Sequence, residues 1–225
     1  YRPDLQAIAV VGDVDVDLIE QKIKKMFSPI ESPENPRERY VEDIPDNEDP
    51  LIAVATDPEA SNSQVRVVYK HDAVTDKDLE YFKKTYQHQL YNMMMNDRLS
   101  ELTQQENPPF VNGYTYYGNM VRSTDAYQSI AMAKNEQLGR ALETLLTENK
   151  RVDKFGFTKT ELERNKKEML SQLEKQYKNR DKKKSRNYIW SYLNNFMKDE
   201  PVPGIEYEYE TAQKELPNIT LDEIN

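Results

Sequence analysis

The sequence contains no cysteine and only two histidines, His71 and His88, among its 225 residues. Without cysteine the chain forms no disulfide bond, no thiolate zinc site and no cysteine nucleophile. The histidines lie seventeen positions apart, a spacing that matches no histidine motif of a zinc enzyme. We therefore expect exposed or hydrogen-bonded histidines, and we assign no residue a catalytic, cofactor-binding or metal-binding role.

Long apolar runs are also missing. The longest covers residues 7–11, far fewer than the roughly 20 residues that a transmembrane helix needs. The chain has 40 acidic and 31 basic residues, a formal net charge of −9, which argues against a general nucleic-acid binder. The basic stretch 166–186 is interspersed with acidic residues, which favours a solvated helix face over a phosphate-binding surface. We expect no membrane span and no nucleic-acid partner.

Short apolar or alternating segments predict the strands. They are expected at residues 7–11, 51–55, 64–70, 110–117 and 125–133. The last two should form a strand pair joined around Gly118 and Asn119. Residues 28–50 hold five of the twelve prolines among many charges, which is typical of an extended surface connection.

Capping residues predict where the helices begin. Asp15 is the expected N-cap of a first helix with one apolar stripe, formed by Val16, Ile19, Ile23 and Met26. Capping boxes at 75–78, 158–161 and 220–223 predict three further helix starts, and apolar periodicity predicts helices at 136–150 and 188–197. Because only two residues follow the last box, we expect the helix beginning at 220–225 to be cut off.

The order of these elements predicts an α+β fold, a mainly antiparallel sheet with helices packed on it. We expect residues 1–225 to form a single domain, truncated at both ends. The Gly12-Asp13 turn offers one glycine where a nucleotide-binding fingerprint has three, so a plain strand-to-helix turn is preferred. The clustered Tyr114, Tyr116 and Tyr117 suit an interface or a substrate-facing wall, and half-buried strand positions explain them equally well.

Three stretches together resemble one protein family. Residues 1–5, running into VVGDVD at 10–15, resemble the first strand and turn of a non-metal domain in the insulinase/pitrilysin class of zinc peptidases. NDRLSEL at 96–102, followed by PPF at 108–110, resembles the long helix and next strand of that domain. PGIEYEY at 203–209 resembles the closing helical segment of large bacterial members, so the resemblance covers nearly the whole chain.

The resemblance implies a metallopeptidase-like domain of the mitochondrial processing peptidase type. Family members consist of homologous domains in two halves that close around a peptide, and the first domain carries the zinc motif H-x-x-E-H. That motif is absent here, and the chain resembles the second domain of the catalytic half, so the implied zinc ligands lie outside it. The family's Arg-Tyr pair has no counterpart either: Thr103 stands where the arginine would fall, and Arg98 precedes Tyr114 by sixteen positions.

The implied function is that of a supporting domain in a zinc metallopeptidase that hydrolyses peptides in a closed chamber, with this chain alone inactive. The alternative is a peptide-binding or assembly subunit that is related to such peptidases but has no activity. The implied partners are the preceding metal-binding domain, the second half of the same polypeptide and a peptide substrate. The bacterial relatives imply the periplasm or cell envelope.

Overall fold

The computed structural model describes residues 2–75 and 77–225, apart from the side chain of Asn135. At its centre lies a three-stranded antiparallel sheet with the strand order β1-β3-β2. The expected α+β class is confirmed. The elements in chain order are α1 (Val16–Phe27), β1 (Ser63–Asp72), α2 (Leu79–Thr103), β2 (Asn112–Val121), β3 (Thr124–Ala133), α3 (Leu138–Phe155), α4 (Lys159–Lys178), α5 (Arg186–Lys198), α6 (Ile205–Glu215) and α7 (Leu221–Ile224).

The sheet confirms three of the predicted strands, at 64–70, 110–117 and 125–133, and corrects their connection. Gly118 and Asn119 lie inside β2, opposite Ala126 and Asp125, so the chain turns after Val121 instead. An antiparallel ladder continues for as long as both backbones find partners, and here it outlasts the glycine that was expected to end it. The β2–β3 hairpin is therefore longer than its sequence indicates.

The predicted strands at 7–11 and 51–55 are wrong. Neither segment has strand structure. A strand needs a neighbour for its backbone N–H and C=O groups, and among the described residues no strand pairs with either segment. Their apolar residues stay exposed; Leu51 and Ile52 are 81% and 87% accessible.

Most of the predicted helix starts are confirmed. The Asp15 carboxylate accepts a hydrogen bond from the Leu18 backbone N–H at 3.0 Å, and both capping boxes at 158–161 and 220–223 are formed. The box at 75–78 is wrong, because Asp78 is itself the N-cap and accepts from the backbone N–H of Tyr81 at 3.0 Å. Aspartate is the stronger cap, so the helix begins after it. Asp76 lies outside the described residues.

The hydrophobic core lies between the sheet and helices α2, α3, α4, α6 and α7. Its buried members extend from Tyr86 to Ile224, and Leu90, Met94, Leu99 and Leu145 have no accessible surface. By contrast, α1 buries none of its residues. Residues 2–62 thus add little to the core that positions the sheet.

Candidate functional site

One face of the sheet is covered by helices. On this face, the Tyr127 hydroxyl donates to Oδ1 of Asn149 on α3 at 2.7 Å, and the ring of Tyr117 lies 3.9 Å from that of His88 on α2. Side chains alternate along a strand, so the neighbouring positions point to the opposite face. We call that side the open face. Its partly or fully exposed members are Arg66, Val68, Tyr114, Tyr116, Gln128 and Met132, whereas Ala126 and Ile130 of its central strand are buried among them.

The three clustered tyrosines lie on different faces of the sheet. Tyr114 and Tyr116 lie on it and are 38% and 52% exposed, whereas Tyr117 lies on the helical side. The ring of Tyr116 extends over Gly118, where a Cβ atom would overlap the Tyr116 hydroxyl. Two of the three tyrosines therefore point away from the helices and the third belongs to the helical side, so the cluster does not share one face of the sheet.

A cleft of about 1050 Å³ lies on the helical side, between α2, β2 and α5. On its floor, the Thr115 backbone N–H donates to Oδ1 of Asn96 at 2.6 Å, and Nδ2 of Asn96 donates to the Thr115 carbonyl at 3.3 Å. The Thr115 hydroxyl donates to Oδ1 of Asn92 at 3.0 Å. Ser191 and Asn194 of α5 line the opposite wall. The cleft surface at these positions is neutral and rich in hydrogen-bonding groups.

The two histidines, far apart in sequence, meet at Tyr117. The His71 ring lies 5.6 Å and the His88 ring 3.9 Å from the Tyr117 ring centre. Burial and the neighbouring His71 hold the pKa of His88 below its usual value, although Asp125 acts in the opposite direction. This favours a neutral His88 ring packed against the tyrosine. No spacing pattern in the sequence predicts that the two histidines contact the same tyrosine.

The residues that the structure describes do not form a zinc site. Within residues 2–75 and 77–225, no three His, Asp or Glu side chains come together in a group that could hold a metal. A zinc site needs three or four converging ligands, which the pair at Tyr117 does not supply.

The NDRLSEL segment that carries part of the family resemblance ties α2 to α4. Oδ2 of Asp97 accepts hydrogen bonds from Nη2 of Arg164 at 2.7 Å and from Nδ2 of Asn165 at 3.1 Å. Both partners lie on α4. The carboxylate is therefore engaged in joining two helices.

Arg98 has a structural role as well. Its Nε and Nη2 atoms donate to the two carboxylate oxygens of Glu161 at 2.6 and 3.0 Å, and Nη2 also reaches the Gly156 carbonyl at 3.2 Å. The guanidinium lies 4.7 Å from the ring centre of Phe157. These contacts hold Arg98 at the junction of α3 and α4, so it is not positioned beside Tyr114 as a substrate-binding pair.

The basic stretch 166–186 shows the salt bridges expected of a solvated helix. Nζ of Lys178 lies 2.6 Å from Oε1 of Glu174, one turn earlier on α4. Lys166 differs from this expectation because it is buried: its Nζ is paired with Glu163 at 3.4 Å and donates to the Pro217 carbonyl at 3.3 Å. No helix in the described part of the chain combines the length and apolar character needed to cross a membrane.

The chain is similar to a known protein family and to a curated protein. Residues 1–169 match the family model described as the peptidase M16 inactive domain. The "Zinc protease PQQL-like" protein of Arabidopsis thaliana is 24% identical over 220 residues, which is 97% of this chain and 20% of that protein. The chain therefore spans about a fifth of this curated relative.

Solved structures share the fold. The periplasmic protease PqqL from Escherichia coli superposes with a TM-score of 0.77 at 18% identity, over 95% of this chain and 24% of that one. A predicted insulinase family protease from Yersinia pestis gives a TM-score of 0.78 at 14% identity, over 95% of this chain and 46% of that one. At such identities the likeness extends to the fold alone.

Proposed function

Because this chain belongs to the peptidase M16 family and is one of its inactive domains, we propose that it forms a wall of the peptide-hydrolysing chamber of a longer zinc metallopeptidase. In this role the chain supplies surface and support but no reacting group. The zinc and the general base would be held by the H-x-x-E-H motif of the preceding metal-binding domain.

The open face is the observation that carries the proposal. A sheet normally buries at least one face against helices, and this one already does so through α2 and α3. The other face presents Tyr114 and Tyr116, side chains that combine a large apolar ring with a hydroxyl for hydrogen bonding. Such a surface suits transient contact with peptides of varied sequence.

The exposed apolar surface of residues 5–27 supports a neighbouring domain as partner. In α1, Val16 and Met26 are 72% and 67% exposed although they belong to its apolar stripe. An amphipathic helix gains most of its stability from burying that stripe. We propose that the preceding metal-binding domain covers it, and that the second half of the same polypeptide closes the chamber.

The proposed location is the bacterial periplasm or cell envelope. It rests on the structural relative PqqL, which is described as a periplasmic protease.

The test uses the full-length parent protein with Tyr114 and Tyr116 both changed to alanine. We expect kcat/KM for an unstructured peptide to fall about tenfold, ~1.4 kcal/mol, mainly through a higher KM, because contact with bound peptide is lost. Phe155→Ala is the matched control, since Phe155 is 72% exposed but lies on α3. Equal values of kcat/KM in the double variant and in the control would contradict the proposal that the open face contacts the peptide.

A second experiment separates the peptidase from the assembly subunit. The coding sequence on the 5′ side of this domain is determined and translated. An intact H-x-x-E-H with a downstream glutamate supports the peptidase, and a degraded motif supports the non-catalytic subunit. The isolated chain is assayed in parallel; hydrolysis that a chelator abolishes would contradict its assignment as an inactive domain.

A further inference from the structure

Helix α5 covers the cleft on the helical side without packing firmly onto the domain. None of its residues is buried, in contrast to its neighbours α4 and α6. Large side chains face solvent, with Trp190 66% and Phe196 46% exposed. Ser191 and Asn194 nevertheless line the cleft, so α5 acts as one of its walls.

The connections at both ends of α5 are suited to movement. Ser185, the N-cap residue, makes no capping hydrogen bond through its side chain. At the other end, Asp199 adopts a left-handed conformation with a φ of 54°, and Gly204 has a φ of 85° with open space around its Cα. Short irregular segments of this kind absorb the backbone rotations of a hinge.

One carboxylate fastens the C-terminal end of α5 to the body. Oε1 of Glu200 accepts from Nζ of Lys77 at 2.5 Å, and Oε2 accepts from the Tyr81 hydroxyl at 3.0 Å. Lys77 also donates to the Lys198 carbonyl at 2.8 Å, and Asn195 donates to the Glu200 carbonyl at 2.8 Å. Burial and Glu200 raise the pKa of Tyr81 to about 12, so its hydroxyl remains a donor across the neutral range.

We propose that α5 is a lid on the cleft and that Glu200 is the latch that holds it closed. Glu200 lies in the second connection, so its release frees the C-terminal end of α5. The helix then swings about its N-terminal connection at Ser185, and the hydrogen-bonding floor around Thr115 becomes accessible. The small contribution of α5 to packing allows this movement without disruption of the core. Tyr116 of the open face also borders this cleft, but the test below measures the movement of α5 and not the hydrolysis of peptide, so the lid and the wall are tested separately.

The test measures amide hydrogen exchange in the chain carrying Glu200→Gln. We expect the α5 amides to exchange about tenfold faster than in the unmodified chain, while the amides of β3 are unchanged, because a charge-assisted hydrogen bond is lost only at the latch. Glu210→Gln is the control, since Glu210 is exposed on α6. Trp190, the single tryptophan, reports the same event through lower fluorescence anisotropy.

A second variant removes the partners of Glu200 and leaves Glu200 itself unchanged. Lys77→Met combined with Tyr81→Phe removes both partners of Glu200, and we expect the same local increase in exchange. Unchanged exchange of α5 in both variants would overturn the proposal. So would faster exchange spread equally over α2, β3 and α5, because α5 would then open only with the whole domain.

Discussion

The side-chain amide of Asn96 pairs with both backbone groups of Thr115. It accepts from the Thr115 N–H at 2.6 Å and donates to the Thr115 carbonyl at 3.3 Å. This is the pattern that a neighbouring strand would offer at the edge of a sheet. One helical side chain therefore satisfies the edge of β2 at this position and fixes α2 beside it.

The first prediction concerns this pair. Asn96→Ala removes the two hydrogen bonds to the Thr115 backbone and leaves a strand position unpaired, so we expect the free energy of unfolding to fall by about 2 kcal/mol. Gln176→Ala, an exposed amide on α4, should change it by less than about 0.5 kcal/mol. Urea denaturation of both variants measures the difference. Equal midpoints would show that the edge pairing contributes nothing to stability.

The second prediction concerns the ion pair between Arg98 and Glu161. Burial alone would raise the pKa of Glu161, but hydrogen bonds from Arg98 and from the backbone and side chain of Thr158 lower it from 4.5 to about 2. A depressed folded-state pKa stabilises the protein above the unfolded value, and that contribution is lost as the pH falls from about 4.5 towards 2. We expect about 1–2 kcal/mol, reduced by partial solvent screening.

Glu161→Gln tests the sign of this effect. At pH 7 the variant should be less stable than the unmodified chain, and the gap should narrow as the pH is lowered through this window. Glu106→Gln, at an exposed position, provides the control. A gap of constant size between pH 7 and pH 2.5 in denaturation experiments would contradict the pKa assignment.

The third prediction compares two glycines of the α3 region. Gly156, just after the helix, has a φ of 67°, and a Cβ atom there would overlap the side chain of Asn225. Gly156→Ala should therefore cost about 2 kcal/mol or more. Gly139 lies within the helix with open space around it, so Gly139→Ala should stabilise the chain by about 0.5–1 kcal/mol. Thermal unfolding of the two variants should shift in opposite directions.

Local signals made much of this fold predictable. Asp15 and Thr158 mark helix starts because their caps need only the next three residues. The strand predictions at residues 7–11 and 51–55 were wrong because a strand forms only where another strand pairs with its backbone. The local sequence does not show whether such a partner is present. The pairing of the Asn96 amide with Thr115 was not predictable for a similar reason, since the partner backbone lies nineteen positions away.

The candidate surfaces were predictable only in part. The clustered tyrosines fitted a wall and half-buried strand positions equally well, and only the register of β2 decides that Tyr116 faces outward and Tyr117 inward. Glu200 contacts Lys77, which lies 123 positions earlier in the chain. No sequence motif predicts this contact. Sites built from such distant contacts become visible only in the folded chain.

The last prediction concerns α1, whose apolar stripe is exposed at its two ends, Val16 and Met26. Changing Val16 and Met26 to aspartate should leave the thermal midpoint of the core unchanged, because these two side chains are 72% and 67% exposed and α1 buries no residue in this chain. The same variant should self-associate less in sedimentation experiments, since an exposed apolar stripe promotes association. In the full-length parent it should instead weaken the contact that we propose between α1 and a preceding domain.

Leu145→Ala serves as the comparison for this variant. Leu145 has no accessible surface, so its truncation should cost about 2–5 kcal/mol. If the α1 variant lowered the thermal midpoint as much as Leu145→Ala, α1 would have to belong to this core, and the preceding domain would not be needed to cover it. A midpoint that is unchanged in the isolated chain but lowered in the parent assigns the stripe to the interface between them.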